Sequence, residues 1–104
     1  MQQRITPTLN AVNKFTLTFP AAIHVPLNDT EQIITSTTFK VKNVGGIEKT
    51  VKMKNVGTTI ALKDTASDTI IVDSIGSIEY ETGKVKIVSF KPTEIPAGTE
   101  IKVS

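Results

Sequence analysis

Apolar and polar side chains alternate along most of this chain. Between Phe15 and Phe19 every second residue is apolar, and threonine occupies the positions between them. The runs on either side of Gly83 repeat this alternation, with the apolar residues Ile78, Tyr80, Val85 and Ile87. Successive side chains of a β-strand point to opposite faces of the sheet, so the pattern predicts strands with one apolar and one polar face.

The segment from Gly76 to Phe90 predicts a β-hairpin. Glu81, Thr82 and Gly83 form the expected three-residue connection between its two runs. Gly83 suits the positive φ that closes such a connection, because glycine has no Cβ to clash there. We therefore expect Gly83 to be the turn residue and the flanking apolar side chains to enter the core.

The second strand of this hairpin breaks its own alternation. Val85 and Ile87 share one face, whereas Val88 and Phe90 belong to the other. Two interpretations are open: a β-bulge near Ile87 and Val88 shifts the register, or both faces of the strand are covered. In the second interpretation Val88 and Phe90 form part of an interface.

The rest of the chain repeats the same design. Strands are expected at residues 15–19, 32–42, 48–54, 58–63, 69–73, 76–80, 84–90 and 100–104, and turns at 43–46, 55–57 and 96–98. The continuous apolar run at 70–72 favours burial on both faces of its strand. Seven or eight short strands with little or no helix predict an all-β fold, an antiparallel β-sandwich or a small open barrel.

Two parts of the chain are distinguished by their patterns. Residues 1–13 contain Pro7 and no periodicity, so we expect an irregular N-terminal arm or linker. Residues 14–104 form a single β-domain, as the length of 104 residues suggests. Because the alternation continues up to Ser104, we expect this domain to be a fragment of a longer protein.

Composition agrees with the strand pattern and narrows the function classes. Isoleucine, valine and threonine supply 39 of the 104 residues, and there is no cysteine for a disulfide or a thiolate metal site. The net charge is only +2, and the lysines between residues 40 and 54 alternate with apolar residues, as on a solvated strand face. No apolar run approaches the roughly 18 residues that span a bilayer. We expect neither a nucleic acid nor a membrane as a partner.

Histidine and aspartate offer little chemistry. His24 is the one histidine, and it has no second imidazole with which to bind a metal. Asp64, Asp68 and Asp73 supply oxygen atoms, but their spacing differs from that of a calcium-binding EF-hand loop, so we interpret them as turn residues. We expect no metal ion and no other cofactor.

Two glutamates present the one candidate for acid–base catalysis. Glu79 and Glu81 flank Tyr80 on one predicted face, an arrangement that glycosidases use. Lys84 and Lys86 follow on the facing strand, and cross-strand charge pairs explain the pattern more simply. With no catalytic residue assigned, we predict that the chain is not an enzyme and acts through its surface or its strand edges.

The hairpin also carries a resemblance. The pattern Gly76-x-Ile78-Glu79-Tyr80-x-Thr82-Gly83-x-Val85-x-Ile87-x-x-Phe90-x-Pro92 resembles a motif near the C-terminus of the baseplate wedge protein, gene product six, of T-even-like contractile-tailed bacteriophages. Where that family usually has aspartate, this chain has Glu79. The resemblance covers about residues 15 to 103.

The resemblance implies a virion structural protein that mediates protein–protein assembly. Its expected partners are a second copy of the chain, in a dimer that contributes to a ring, and other baseplate proteins. The expected location is the tail baseplate of the virion, and the host cytoplasm during assembly. The motif positions are expected to determine the fold: Gly76, Ile78, Tyr80, Thr82, Gly83, Val85, Ile87, Phe90 and Pro92.

An alternative function belongs to a different class. Small β-sandwiches also include immunoglobulin-like binding modules of surface or secreted proteins, which recognise peptides or carbohydrates. Such a module needs exposed aromatic side chains in a groove. This chain has five aromatic residues, and the alternation assigns nearly all of them to the core.

Overall fold

All regular structure in this protein is β-strand. The computed structural model describes residues 1–28, 30–42, 45–96 and 99–103. Nine strands lie in these ranges: β1 (Gln2–Arg4), β2 (Asn13–Thr18), β3 (Ile34–Ser36), β4 (Phe39–Lys42), β5 (Glu48–Val56), β6 (Thr59–Asp64), β7 (Thr69–Glu79), β8 (Lys84–Phe90) and β9 (Glu100–Val103). The predicted all-β class is confirmed.

The strands form two antiparallel sheets. The larger sheet has six strands in the order β2-β8-β7-β6-β5-β4, and the smaller one has the order β1-β9-β3. Every strand pair in both sheets is antiparallel. This architecture agrees with the predicted small sandwich or open barrel.

Alternating apolar side chains form the core between the sheets. In β2 the half-buried residues alternate with exposed ones, and in β8 Val85 and Ile87 are buried while Lys84 and Lys86 are exposed. Three phenylalanines meet at the centre. The ring of Phe90 contacts Phe39 edge-on at a centroid distance of 4.8 Å, and Phe15 lies at 6.4 Å from Phe90. For β2 and for Val85 and Ile87 of β8, the alternation therefore predicted the core face correctly.

The long strand expected at 32–42 is two strands in different sheets. β3 pairs with β9, and β4 pairs with β5, with Thr37 and Thr38 between them. Ile34, Phe39 and Val41 all enter the same core, and the alternation changes phase at Thr37 and Thr38 between the two strands. A pattern of side chains reports the buried face of a strand, but it does not report which neighbour the strand pairs with.

The two strands expected at 69–73 and 76–80 form one long, bulged strand, β7. Between Ile60 and Leu62 of β6 the partner moves from Gly76 to Val72, which leaves two extra residues in β7. A further shift follows before Ile70. The prediction of burial on both faces is wrong here, since Ile70 is 41% exposed and Val72 is half-buried. Bulges rotate successive side chains away from a strict inside–outside order.

The hairpin between β7 and β8 has the predicted turn residue and a longer connection. Gly83 has φ +75°, as expected. Glu79 and Lys84 are paired, so four residues, Tyr80 to Gly83, connect the strands. The N–H of Gly83 donates to the carbonyl oxygen of Glu79 at 3.0 Å. The connection is therefore one residue longer than the sequence indicated.

The expected irregular arm begins with a strand. β1 pairs with β9, and the terminal ammonium of Met1 donates to the carbonyl oxygen of Val103. For Gln2–Arg4 the prediction of irregular structure is therefore wrong, because pairing with a distant strand needs no apolar periodicity in so short a segment. Residues 5–12 contain no strand.

The turns were predicted with mixed accuracy. The expected turn at 55–57 is shifted, since Asn55 and Val56 belong to β5 and the turn residues are Gly57 and Thr58. In the turn expected at 43–46, Gly45 and Gly46 have positive φ. Parts of three predictions lie outside the described residues: positions 43–44 and 97–98 of two turns, and Ser104.

Candidate assembly surface

The motif residues of the hairpin lie in the core or in the turn. Four of them are at most 2% exposed: Ile78, Val85, Ile87 and Phe90. Thr82 is exposed in the turn, whereas Pro92 is buried beyond the end of β8. The carbonyl oxygen of Pro92 accepts the N–H of Asn10 at 2.8 Å. The motif residues thus lie where they shape the fold of the hairpin.

Gly76 is required by a close approach of two backbones. A Cβ at this position would collide with the carbonyl oxygen of Lys86 on β8. Its φ lies outside the left-handed region, so its role differs from that of Gly83. Sequence reasoning placed Gly76 in the motif without this physical cause.

The turn of the hairpin is a junction for three other segments. The N–H of Phe19 donates to the carbonyl oxygen of Gly83 at 2.9 Å, and that of Ile23 donates to the carbonyl oxygen of Tyr80 at 2.7 Å. The hydroxyl of Tyr80 donates to the carbonyl oxygen of Gly57. Burial raises the pKa of Tyr80, which keeps this donor protonated.

The break of alternation at Val88 is a β-bulge. Asn13 pairs with Phe90 and Phe15 pairs with Ile87, so β8 contains one extra residue between these two pairs. The extra residue returns Phe90 to the inner face, where it is fully buried. Phe90 is therefore not an interface residue, and that prediction is wrong. Val88 is 40% exposed and remains a candidate.

The two candidate carboxylates lie on different elements of the hairpin. Glu79 ends β7 and lies opposite Lys84 in the register, whereas Glu81 is an exposed residue of the turn. The ion pairs of the described residues do not include a contact between Glu79 and Lys84. The register therefore agrees with cross-strand neighbours of opposite charge, without direct contact.

Asp64 has a structural role in the turn after β6. Its Oδ1 accepts the N–H of Ala66 at 3.0 Å, and its Oδ2 lies 3.8 Å from Nζ of Lys49. The bond from Ala66 lowers the pKa of the Asp64 carboxyl group, which favours the charged form. Asp68 lies in the same turn with its Oδ1 at 2.6 Å from Nζ of Lys63.

His24 has a carboxylate partner that sequence reasoning did not foresee. Its Nε2 lies 2.9 Å from Oε1 of Glu31, in an exposed part of the loop. The N–H of Leu27 donates to the same carboxylate and is the main reason why the pKa of Glu31 is lowered. The pair connects two positions, seven residues apart, in the segment between β2 and β3.

The described residues contain neither a metal-binding cluster nor a membrane-spanning helix. No group of three or more histidine, aspartate or glutamate side chains in that part of the chain could hold a metal ion. The same residues contain no helix of the length and apolarity needed to cross a membrane.

Asn55 is a buried polar residue that replaces strand pairing between β3 and β5. Its Oδ1 accepts the N–H groups of Ile33 at 2.7 Å and Ile34 at 3.1 Å, and its Nδ2 donates to the carbonyl oxygen of Glu31. Asn55 is 1% exposed. The dipeptide Asn-Val before a glycine indicated a turn, so sequence reasoning missed this role.

The two edges of the larger sheet differ in their protection. At β4 the N–H of Lys40 donates to the carbonyl oxygen of Glu94, and the N–H of Thr93 donates to the carbonyl oxygen of Lys40. Nζ of Lys40 also lies 3.4 Å from the Glu94 carboxylate. No strand of the described residues covers the other edge, β2. An uncovered edge is a template for pairing with another chain.

The orientation of Phe19 shows which backbone groups of β2 are unpaired. Its N–H points toward β8, so the N–H groups of Phe15 and Leu17 do so too, because antiparallel strands alternate. The N–H and C=O groups of Thr16 and Thr18 therefore point away from β8. Apart from bonds within the sheets, the hydrogen bonds recorded for the described residues do not use the N–H of either threonine.

A slit separates β2 from β1 of the smaller sheet. We call the space between residues 4–7 and residues 13–17 the β1–β2 slit, and its volume is about 380 Å³. At one end Nε2 of Gln3 donates to the carbonyl oxygen of Thr18 at 2.8 Å. At the other end Nδ2 of Asn13 donates to the carbonyl oxygen of Thr8 at 2.9 Å. Side-chain hydrogen bonds thus close the slit at its two ends, and β1 and β2 do not pair as strands.

Known proteins offer no guide to this surface. Comparisons with protein families, curated proteins and solved structures each find no match. The sequence indicated the edge only weakly, through the absence of proline between Asn13 and Thr18. Its exposure depends on strand order, which the alternation does not encode.

Proposed function

We propose that this chain is a structural module that joins protein subunits and performs no catalytic step. The observation that carries the proposal is the open edge of β2, where Thr16 and Thr18 direct backbone groups away from β8, beside half-buried apolar side chains. Strand addition at such an edge gives affinity through main-chain hydrogen bonds. A module of this kind associates with copies of itself and with other proteins.

The proposed setting is the baseplate of a contractile phage tail. The hairpin motif supports this setting, because the residues that resemble the baseplate wedge family lie in the core or the turn of the fold. In that setting the chain forms dimers, contacts other baseplate proteins, and is part of the virion after assembly in the host cytoplasm. Nucleic acids and membranes are not among its proposed partners.

The immunoglobulin-like alternative receives less support from the aromatic residues. Phe19, Phe39 and Phe90 are at most 2% exposed, and Tyr80 is 9% exposed. Phe15 is half-buried and packs against the core. These five side chains do not form an exposed platform for a carbohydrate ring.

Sedimentation velocity of the whole chain tests the proposal. From about 10 µM to about 1 mM protein, we expect the mean mass to rise from that of a monomer toward that of a dimer. Thr16→Pro removes one outward N–H and should remain monomeric, whereas Thr16→Val keeps the N–H and should associate like the parent. A parent chain that stays monomeric over the whole range would contradict the proposed self-association.

A further inference from the structure

The β1–β2 slit has unpaired backbone groups on both of its sides. On the β2 side these are the N–H and C=O groups of Thr16 and the N–H group of Thr18, since the C=O group of Thr18 already accepts the side chain of Gln3. On the β1 side, Met1 and Ile5 bond to β9 through Val103 and Thr99. By alternation, the N–H and C=O groups of Gln2 and Arg4 then point away from β9, and Arg4 lines the slit. An extended strand inside the slit therefore finds hydrogen-bond partners along both of its own edges.

The inner side of the slit is apolar. Ile5, Phe15 and Leu17 are half-buried and pack against the core cluster. In an inserted strand every second side chain points inward, toward these three residues. Apolar side chains at those positions would complete the burial of a surface that the domain alone covers only in part.

The outer rim of the slit is basic. Lys14 is exposed on β2, and Arg4, with its side chain 79% exposed, lies on the opposite side. Lys84 and Lys86 lie on the outer face of β8, directly beside Thr18 and Thr16. Two carboxylates lie at this rim: Oε1 of Glu100 is 3.4 Å from Nε of Arg4, and Glu79 lies opposite Lys84 in the register. Lys14 forms no ion pair within the described part of the chain.

We propose that the β1–β2 slit receives one extended strand of a partner protein, in which apolar side chains alternate with acidic ones. The apolar side chains face Ile5, Phe15 and Leu17, and the acidic ones face Lys14 and Arg4. This inference rests on the proposed function and names the partner's chemistry. A second copy of β2 can pair with the same edge, but it brings another Lys14 to this basic rim, so an acidic strand is the favoured occupant.

Insertion requires the side-chain contacts at both ends of the slit to open, from Gln3 to Thr18 and from Asn13 to Thr8. The bond from Nε2 of Gln3 to the carbonyl oxygen of Thr18 spans the slit and is exposed to solvent. An incoming strand replaces it with a backbone N–H donor, so the carbonyl oxygen of Thr18 keeps a partner. An exposed side-chain bond of this kind contributes little to stability, and its loss does not prevent insertion.

Fluorescence anisotropy with labelled peptides tests the proposal. The probe is a nine-residue peptide of alternating glutamate and valine with blocked ends, and the matched control has lysine in place of glutamate. We expect the glutamate peptide to bind the intact chain at least about ten-fold more tightly than the lysine peptide. Lys14→Glu should reduce this preference, and Thr16→Pro should weaken binding about ten-fold while Thr16→Val leaves it unchanged.

Peptide binding and sedimentation together distinguish failure of the slit proposal from failure of the proposed self-association. Equal binding of the two peptides, or binding that Thr16→Pro leaves intact in a folded variant, would overturn the slit as the site of an acidic strand. No peptide binding by a chain that still forms dimers would overturn the slit proposal alone. Peptide binding by a chain that stays monomeric would support the slit and contradict self-association.

Discussion

Phe90→Ala is expected to lower the free energy of unfolding by about 3–5 kcal/mol. The side chain of Phe90 is fully buried, and its ring packs edge-on against Phe39 and Phe15. Its removal leaves a cavity between the rings of Phe15 and Phe39, which strands β2 and β4 hold in place. Urea denaturation followed by circular dichroism measures the change in unfolding free energy.

A control at Val88 distinguishes a core role of Phe90 from an interface role. Val88→Thr changes the exposed residue beside the bulge, and we expect its unfolding free energy to stay within about 0.5 kcal/mol of the parent. If Phe90 were an interface residue, Phe90→Ala would weaken association and leave the stability of the monomer unchanged. That result would contradict the bulge and the inward position of Phe90.

Asn55→Ala is expected to lower the free energy of unfolding by about 3 kcal/mol. The substitution leaves the buried N–H groups of Ile33 and Ile34 and the carbonyl oxygen of Glu31 without their partner. These bonds hold β3 and the preceding loop against β5. The same denaturation experiment measures the effect.

Asn28→Ala is the control for Asn55→Ala. The Oδ1 of Asn28 also accepts two backbone N–H groups, from Thr30 and Glu31, but this residue is exposed. Water can replace its bonds, so a loss below about 1 kcal/mol is expected. Equal losses for the two variants would show that burial of Asn55 does not matter.

Local alternation predicted which side chains are inside. The inward positions of Ile78, Val85 and Ile87 and the positive φ of Gly83 all follow from the order of residues along the chain. These features depend on neighbours one or two residues away, where the geometry of a strand or a turn leaves few choices.

Features that depend on distant neighbours were not predictable. Asn55 looks like a turn residue until β3 lies beside it, and Gly76 needs no special backbone angle until β8 comes close. The pattern over 32–42 predicted one strand, whereas the chain changes sheets at Thr37 and Thr38. Strand order decided each case, and for the same reason the open edge of β2 was not visible in the sequence.

Amide hydrogen exchange along β2, followed residue by residue by NMR, tests the open edge most directly. The amides of Phe15 and Leu17 bond to β8 and should exchange at least about a hundred-fold more slowly than those of Thr16 and Thr18. Dilute protein is required, so that association does not protect the edge. Equal protection of Thr16 and Leu17 in the monomer would show that the edge is already covered and would contradict the account.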